Sequence, residues 1–386
     1  MRDAEVVCSI IPPYILRHVA EHGDDEQRER ARVTLELSSQ LRGSRLAMNE
    51  MLATGGVAPG EKRRTVYDAQ TRRALPGKLV RGEGAAVTKD VAVNEAYDGA
   101  GSTYDFYARV FDRNSIDNRG VRLDVTVRFG SHYSNAQWNG RQMVYGAGDP
   151  SLFNRFTSAL EVIGHELTHG VTQSTAALEY SDEPGALNEH FSDVFGVLVK
   201  QYTLKQSASR ADWLIGAGLL AKGVRGVAVR SMKAPGTAYD DPVLGKDPQP
   251  ATIRDYVKTQ EDNGGVHLNC GIPNHAFYRA ATLLGGKAWE IAGRIWYRTL
   301  TRELRRDASF RDCANATLKV ARELYGEASP ACHAVAEGWA GVGIVVRRAV
   351  ARGGPRLLMT DEWVAPMGGA EVPVAVMMPK AKRPRT

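Results

Sequence analysis

The sequence predicts an α+β protein in which a β-rich half precedes an α-helical half. Apolar and polar residues alternate in Leu123–Phe129, as in a strand with one buried face, and residues from about 65 to 160 share this character. From about residue 158 to 344, apolar residues recur at helical spacing, as in Ala288–Thr299 and Ala314–Tyr325. A chain of 386 residues that is 43% hydrophobic can bury one large core or two ordinary ones. Clefts between two such halves are the usual ligand sites.

Four segments are expected along the chain: 1–60, 61–160, 161–344 and 345–386. The first contains Ile10–Leu16, which carries two consecutive prolines, and then a charged helical stretch from Asp24 to Leu52. Glycine and charge in Gly55–Arg64 predict a flexible linker that proteases can reach. The last segment ends in the basic run Lys380–Arg385, for which a solvated tail is favoured over a nuclear-localisation or nucleic-acid patch.

Charge and hydropathy argue against a nucleic-acid-binding protein and against a membrane-spanning protein. The net charge is +6 and the charges are scattered except at the C-terminus, which favours a mixed basic surface over nucleic-acid binding. No apolar run reaches the roughly 18 residues that a membrane span needs. Met1–Glu5 holds acidic residues, and prolines follow, where a signal peptide needs an apolar core. Export by the standard route is therefore not expected.

The stretch His165-Glu166-Leu167-Thr168-His169 predicts a metal site. On a helix, residues four apart share a face, so His165 and His169 can bind one Zn²⁺, with Glu166 beside them as a candidate general base. The alternative is an amphipathic helix with two surface histidines.

A catalytic zinc usually takes three protein ligands and leaves a position for water. Downstream, apolar residues at three- and four-residue steps predict a second helix, namely Leu187, Phe191, Val194, Phe195 and Leu198. Glu189 and Asp193 share a face of that helix. Glu189 fits the third ligand, and Asp193 fits the carboxylate that holds a liganding imidazole in the right tautomer.

Together these motifs resemble the thermolysin-like zinc metallopeptidases, and the similarity runs from about Tyr67 to about Ile344. The matching stretches are HELTHGVTQ (165–173), GALNEHFSDVFG (185–196), DNGGVHLN (262–269) and SNAQWNG (134–140) with Met143–Gly146 after it. The segment Ile10–Leu16 resembles the short propeptide, with its Pro-Pro-Tyr signature, of the protealysin-type subgroup.

The resemblance implies a thermolysin-like two-domain fold with the zinc cleft between its halves. It implies a neutral endopeptidase whose partners are protein or peptide substrates. The enzyme would be a monomer and would be made as a self-processing zymogen. Residues 1–60 would then be an inhibitory propeptide, held extended by its prolines and removed between about Arg42 and Arg64. Secretion is also implied, and without a signal peptide both leaderless export and cytoplasmic retention stay open.

The resemblance also assigns catalytic roles. Glu166 would take the proton from a zinc-bound water and pass it to the leaving amine. His267 and Tyr180 would donate to the oxyanion of the transition state, and Asp262 would orient the His267 ring. From the residues alone, Asp262–Gly265 equally predicts a tight turn before a helix.

Substrate contacts are implied in the same way. Asn135 and Ala136 match the edge strand that hydrogen-bonds an extended peptide, and Arg230 matches the arginine that binds a substrate carbonyl. The pocket residues, each also an ordinary core residue by type, are Phe153, Phe156, Val162 and Val229. They imply preference for an apolar side chain after the cleaved bond.

The chain departs from the family at a calcium position. Glu161 stands where a calcium carboxylate is expected, but Lys200 occupies the place of another, and an ammonium cannot ligate a cation. A paired calcium site is therefore not expected.

The four cysteines are too sparse for a disulfide framework: Cys8, Cys270, Cys313 and Cys332. Cys270 follows His267 closely and is interpreted as a small buried residue near the site. A Cys8 thiolate could block the open zinc position, although the resemblance does not support such a switch.

Two other classes of function are compatible with parts of the sequence. A catalytically silent relative would need to lose a zinc ligand or the base, but His165, Glu166, His169 and Glu189 are all present. A nucleic-acid-binding protein with structural zinc would need four closed ligands, usually with cysteines, and no fourth ligand is visible.

Overall fold

The computed structural model describes residues 9–48 and 60–346, with side chains for 9–41 and 60–346. Cys8, residues 55–59 of the predicted linker and the extension from residue 347 onward lie outside the described residues. The helices are α1 (Pro13–His22), α2 (Asp25–Met48), α3 (Val91–Phe111), α4 (Leu160–Gln173), α5 (Asp182–Thr203), α6 (Asp262–Asn269), α7 (Gly271–Leu284), α8 (Ala292–Arg298), α9 (Phe310–Tyr325) and α10 (Pro330–Ala340). The strands are β1 (Arg64–Asp68), β2 (Lys78–Gly82), β3 (Leu123–Phe129), β4 (Ala136–Trp138), β5 (Met143–Gly146), β6 (Leu214–Ile215), β7 (Arg230–Ser231), β8 (Asp240–Asp241) and β9 (Gly245–Lys246).

The N-terminal half contains a five-stranded sheet in the order β2-β1-β3-β5-β4. β1 and β5 run parallel to β3, whereas β2 and β4 are antiparallel edge strands. The strand predicted at Leu123–Phe129 is confirmed as β3, at the centre of the sheet. Because β4 is an edge strand, one side of its backbone can bond to another segment.

The prediction of uniformly strand-like structure from 65 to 160 is wrong, because the 21-residue helix α3 lies within it. Asp90 caps this helix by accepting a hydrogen bond from the backbone N–H of Val93 at 3.2 Å. Asp112 ends the helix in the left-handed region, at φ 55°. The buried face recurs at helical spacing, through Val93, Ala96, Tyr97, Ala100, Tyr104 and Tyr107. Valine and tyrosine favour strands intrinsically, and here packing overrides that preference.

The second half is mainly helical, as predicted. It also contains two small two-stranded sheets, formed by β6 with β7 and by β8 with β9. The helix predicted over Ala288–Thr299 begins only at Ala292 and continues as a π-helical turn, Thr299–Glu303. The helix predicted over Ala314–Tyr325 starts earlier, at Phe310, because Ser309 and Asp312 form a capping box there. Among the described helices, none combines the length and apolar character that crossing a bilayer requires.

The N-terminal segment is part of the packed structure. Ile10 and Ile11 are fully buried and Pro12 is extended, but Pro13 already belongs to α1, so the prediction that the whole Ile11–Tyr14 stretch is extended is wrong. Proline fits the first turn of a helix because its missing N–H needs no partner there. The next helix, α2, confirms the charged helical stretch predicted to begin near Asp24, and it packs Leu37 and Leu41 against a small core beside the sheet.

Candidate active site

Two adjacent helices bring three potential metal ligands together. α4 carries His165 and His169, and α5 carries Glu189; all three are fully buried. The Nε2 atoms of the two imidazoles are 3.1 Å apart, and they lie 3.4 and 3.5 Å from the Glu189 carboxylate oxygens. One ligand atom from each residue lies within 4.8 Å of the others. Two imidazole nitrogens and one carboxylate oxygen form the donor set of many catalytic zinc sites.

The close approach of α4 and α5 depends on Gly196. A Cβ atom at this position would lie 2.9 Å from the backbone nitrogen of His165 and would collide with the carbonyl oxygen of Glu161. A larger residue at position 196 would therefore push the helix that carries Glu189 away from the helix that carries the histidines.

Each imidazole has a polar partner close to its other nitrogen. Oδ1 of Asp193 lies 2.7 Å from Nδ1 of His165, at ion-pair distance, and the role of Asp193 in orienting this ring stays a prediction. Nδ1 of His169 lies 2.8 Å from Oδ1 of Asn188 and 3.0 Å from Oγ of Ser192. Because both Nδ1 atoms are engaged, both Nε2 atoms face Glu189, which is the arrangement a shared cation requires.

Asn188 and Ser192 were not among the predicted site residues. They are four residues apart on α5, so they share a face of the helix, and that spacing was a signal in the sequence. The sequence does not reveal which imidazole they meet, since that depends on how α5 lies against α4.

The charge state of Glu189 also fits a cation. Burial alone would raise the pKa of this carboxyl group, but the positive charges of His267, His169 and His165 hold it well below its usual value. Among the residues that the structure describes, Oε2 of Glu189 accepts no hydrogen bond, although it is buried. A buried, ionised carboxylate oxygen of this kind is suited to a metal ion.

Glu166 lies beside the three ligands and is fully buried. Its Oε2 accepts a hydrogen bond from the backbone N–H of Trp138 at 2.8 Å, which ties it to the edge strand β4. Oε1 is buried and has no hydrogen-bond partner within the described part of the chain. Burial raises the pKa of Glu166 to about 8, and the positive charge of a cation bound by the three neighbouring ligands would lower it again and favour the carboxylate form. The contact to Trp138 was not predicted, because a backbone donor has no signature in the sequence.

Tyr180, His267 and Asp262 meet beside the Glu189 carboxylate. The Tyr180 hydroxyl donates to Oε1 of Glu189 and lies 3.4 Å from Nε2 of His267. Asp262 holds the His267 ring, with 2.7 Å between Oδ1 and Nδ1, and also accepts the backbone N–H of His267 at 2.9 Å. Burial alone would lower the pKa of His267, but the charges of Asp262 and Glu189 raise it.

The turn predicted at Asp262–Gly265 is confirmed and has an unusual backbone. All four of its residues lie in the left-handed region, with φ of 51° to 81°. Glycine adopts this region without strain, and at Gly264 a Cβ atom would also collide with the Asp182 carboxylate. Across this turn, both carboxylate oxygens of Asp262 accept hydrogen bonds from His267.

The three residues predicted to contact substrate backbone contact the N-terminal segment instead. Ile10 donates its N–H to the carbonyl oxygen of Ala136 at 3.1 Å and accepts from Nη1 of Arg230 at the same distance. The Asn135 amide bonds both backbone groups of Ile11, accepting its N–H and donating to its carbonyl oxygen, each at 2.9 Å. The N-terminal segment therefore bonds to the free edge of β4 and to the side chains of Asn135 and Arg230.

Arg230 has a second role that was not predicted. Its Nε and Nη2 donate to the two carboxylate oxygens of Asp193 at 2.9 and 2.8 Å, and both side chains are fully buried. Arg230 thus links the carboxylate that orients His165 to the carbonyl group of Ile10.

The four residues predicted to line an apolar pocket are all buried: Phe153, Phe156, Val162 and Val229. The ring centroids of Phe153 and Phe156 are 6.1 Å apart. Val162 lies on α4 one turn before His165, and Val229 directly precedes Arg230. These positions put Val162 and Val229 next to site residues in the chain, and the role of the four residues as a substrate pocket stays a prediction.

Lys200 lies between two carboxylates, those of Glu161 and Asp212. Its Nζ lies 3.5 Å from Oε1 of Glu161 and 2.8 Å from Oδ2 of Asp212. The ammonium group therefore supplies the positive charge beside these carboxylates.

Cys270 is fully buried, as predicted, and its thiol lies 3.3 Å from the carbonyl oxygen of His267. Burial raises the pKa of this thiol well above its usual value. The thiol is therefore protonated and belongs to the packing behind His267. The Cys8 hypothesis falls outside the described residues.

Comparison with known proteins agrees with this geometry. Residues 26–173 match the family model for the thermolysin metallopeptidase catalytic domain, 176–344 match the thermolysin metallopeptidase alpha-helical domain, and 8–43 match the protealysin propeptide. The chain is 51% identical over 346 residues to an extracellular metalloprotease of Pectobacterium carotovorum subsp. carotovorum, covering 89% of this chain and 98% of the relative. It is 46% identical over 349 residues to protease PrtS of Photorhabdus sp. (strain Az29), covering 88% and 92%.

A solved structure is also similar. The precursor of protealysin, a metalloproteinase from Serratia proteamaculans, matches with a TM-score of 0.81 and 54% sequence identity, over 88% of this chain and all of that one. The two-domain thermolysin-like fold predicted from the sequence is thereby confirmed. The chain belongs to the thermolysin family of metallopeptidases and carries a protealysin-type propeptide.

Proposed function

We propose that this metalloendopeptidase uses one zinc ion, held by His165, His169 and Glu189, and that residues 1–60 inhibit it until they are removed. The convergence of the two Nε2 atoms on the Glu189 carboxylate carries the metal assignment. When bound, the zinc would polarise the scissile carbonyl group and acidify a water molecule.

Glu166 is the proposed general base. Its Oε2 is held by the Trp138 N–H, while Oε1 accepts no hydrogen bond within the described residues and can take a proton from the attacking water. The same carboxyl group then passes that proton to the leaving amine.

His267 and Tyr180 are the proposed donors to the oxyanion of the transition state. Both lie beside the Glu189 carboxylate, and Asp262 fixes His267 through one hydrogen bond to its ring and one to its backbone N–H. Held in this way, the donors need little reorganisation during the reaction, which is the property that makes such groups effective.

Asn135, Ala136 and Arg230 are the proposed substrate-backbone contacts. The contacts of Ile10 and Ile11 support this role, because the backbone of the N-terminal segment already bonds to these groups. Ile10 would then mark the position after the cleaved bond, and its side chain agrees with an apolar preference supplied by Phe153, Phe156, Val162 and Val229. Peptide libraries that vary this position should give the highest kcat/KM with leucine, isoleucine or phenylalanine.

Metal dependence is the direct test of this function. The purified protein should contain about one zinc per chain, and removing it with phenanthroline should abolish casein hydrolysis, because the donor set is of the catalytic type. Zinc re-addition should restore activity. Full peptidase activity in protein shown by elemental analysis to be metal-free would contradict the assignment.

Maturation is the second expected outcome. Wild-type protein should shorten by roughly fifty residues on incubation and gain activity, since Ile10 and Ile11 occupy the proposed substrate contacts. The chain is anchored just before and at the start of β1. Nζ of Lys62 donates to Oδ2 of Asp105, and Nε of Arg64 donates to Oε2 of Glu83, each at 2.8 Å. Cleavage is therefore expected upstream of Lys62, within the range Arg42 to Arg64. N-terminal sequencing and mass spectrometry measure it.

The Glu166→Gln protein is the control for maturation and should stay full length when purified alone. A fully active enzyme that still begins at Met1 or Arg2 would disprove the zymogen proposal.

Calcium is not expected to support the site at Glu161. Lys200 already neutralises this buried carboxylate, so a second cation there would meet charge repulsion. In buffers with zinc supplied, activity and melting temperature should change little as free calcium is lowered from millimolar to submicromolar. A large loss of melting temperature would show that calcium binds elsewhere or despite the lysine.

The remaining assignments concern domains, partners and location. We propose the boundaries 1–60, 61–160, 161–344 and 345–386, a monomer, and protein substrates rather than nucleic acid. Relatives named extracellular metalloproteases support action outside the cell. Comparing antibody signal in medium and in washed cells of a producing culture distinguishes export from retention.

A further inference from the structure

A chain of buried polar contacts, three hydrogen bonds and one ion pair, connects α8 to the proposed metal site through three helices. Nε1 of Trp296 donates to Nε2 of His190 at 2.8 Å. Nδ1 of His190 lies 2.8 Å from Oδ1 of Asn274, and Nδ2 of Asn274 donates to Oδ2 of Asp193 at 2.8 Å. Asp193 in turn lies 2.7 Å from Nδ1 of His165. All of these side chains are at most 1% exposed.

The direction of every hydrogen in this chain follows from its first member. An indole N–H can only donate, so Nε2 of His190 must be an acceptor and the ring must carry its proton on Nδ1. That N–H donates to Oδ1 of Asn274, which turns the amide so that its NH₂ group faces Asp193. The arrangement therefore leaves no ambiguity in the His190 tautomer or the Asn274 amide orientation.

The other tautomer of His190 would destabilise the contacts of Asp193. With the proton on Nε2 of His190, the lone pair of Nδ1 would face Asn274 and favour a flipped amide. Oδ1 of Asn274 would then point at the Asp193 carboxylate, where two acceptors would meet in a buried place. Asp193 would lose a donor and shift relative to His165.

We propose that Trp296, His190 and Asn274 are positioning residues that fix Asp193, and through it the orientation of His165 as a metal ligand. This inference rests on the proposed zinc site. None of the three side chains bonds directly to His165. Within the described residues, none of them has a hydrogen bond outside this chain of contacts that would give it another role. Their function is to specify one of two hydrogen-bond patterns at Asp193.

The chain offers a matched control for the loss of an indole N–H. Trp339 is also fully buried, and its Nε1 donates to Oγ1 of Thr317 at 2.9 Å. Its ring lies stacked near that of Trp296, with centroids 6.4 Å apart. Trp296→Phe and Trp339→Phe therefore remove the same group from the same core, but only the first interrupts the path to Asp193.

The experiment measures zinc affinity in the full-length Glu166→Gln protein, which cannot digest itself. Chelator competition at fixed pH, read with a zinc-sensitive dye, gives the dissociation constant for each variant, and thermal unfolding checks folding. Trp296→Phe and His190→Leu should weaken zinc binding about tenfold, at the low end of the effect of residues around a metal ligand. Trp339→Phe should bind zinc as the parent does. His190→Gln, which can accept and donate at once, should stay within about threefold of the parent.

Equal zinc affinity in Trp296→Phe and the parent, or equal losses in Trp296→Phe and Trp339→Phe, would overturn the proposal. If His190→Leu does not fold, the comparison of the two Trp→Phe variants decides alone. A parent protein that binds no zinc would instead refute the proposed function, so the two failures are distinguishable.

Discussion

Glu166→Gln is expected to abolish proteolysis while zinc stays bound. Glutamine keeps the size of the side chain and can still accept the Trp138 N–H, but it cannot take a proton from water. Because His165, His169 and Glu189 are unchanged, the zinc content should match that of the wild type. Casein hydrolysis and elemental analysis on the same preparation measure both quantities.

His267→Ala is the comparison that separates the two catalytic roles. It removes one donor to the oxyanion, so kcat should fall roughly 100–1,000-fold, or about 2.7–4 kcal/mol of transition-state stabilisation, with a modest change in KM. Small and equal effects of Glu166→Gln and His267→Ala would show that the roles are misassigned.

Asp193→Leu is expected to produce the largest loss of stability among the site variants. It leaves the Arg230 guanidinium buried without its carboxylate partner and His165 without its acceptor. Breaking a buried ion pair in this way typically costs about 3–5 kcal/mol. Urea unfolding of the zinc-loaded Glu166→Gln protein gives the change in the free energy of unfolding.

Arg230→Leu should lower the free energy of unfolding by less, about 1.5–3 kcal/mol. Asp193 keeps His165 beside it and still accepts a hydrogen bond from Asn274. The double variant should lose less than the sum of the two single losses, since it leaves no unpaired arginine. Additive losses, or a larger effect of Arg230→Leu, would mean that the two residues do not act as a pair.

The grouping of the candidate metal ligands could be predicted because helix geometry is local. His165 and His169 share a face at any place where their segment is helical, and the same holds for Glu189 and Asp193 on α5. The order of a β-rich and an α-helical half also follows from hydrophobic periodicity. Helix α3 was missed because its tyrosines and valines favour strands, and its packing against the sheet decides otherwise.

Groups that meet across elements could not be predicted from spacing. The Trp138 N–H that holds Glu166 is a backbone group on an edge strand, and nothing in the type of residue reveals it. The pairing of Arg230 with Asp193 joins residues 37 positions apart.

The sequence by itself determined the family of this protein and its candidate chemistry, since the candidate ligands, the candidate base and the Pro-Pro-Tyr segment are short motifs. The tertiary structure decided which partner each of those groups has. Gly196 sets how closely α5 approaches α4, and the buried chain from Trp296 to Asp193 sets how His165 is turned. The physical reason is that hydrogen-bond direction in a buried site depends on neighbours brought together from distant parts of the chain, whereas helical spacing depends only on residues within one turn.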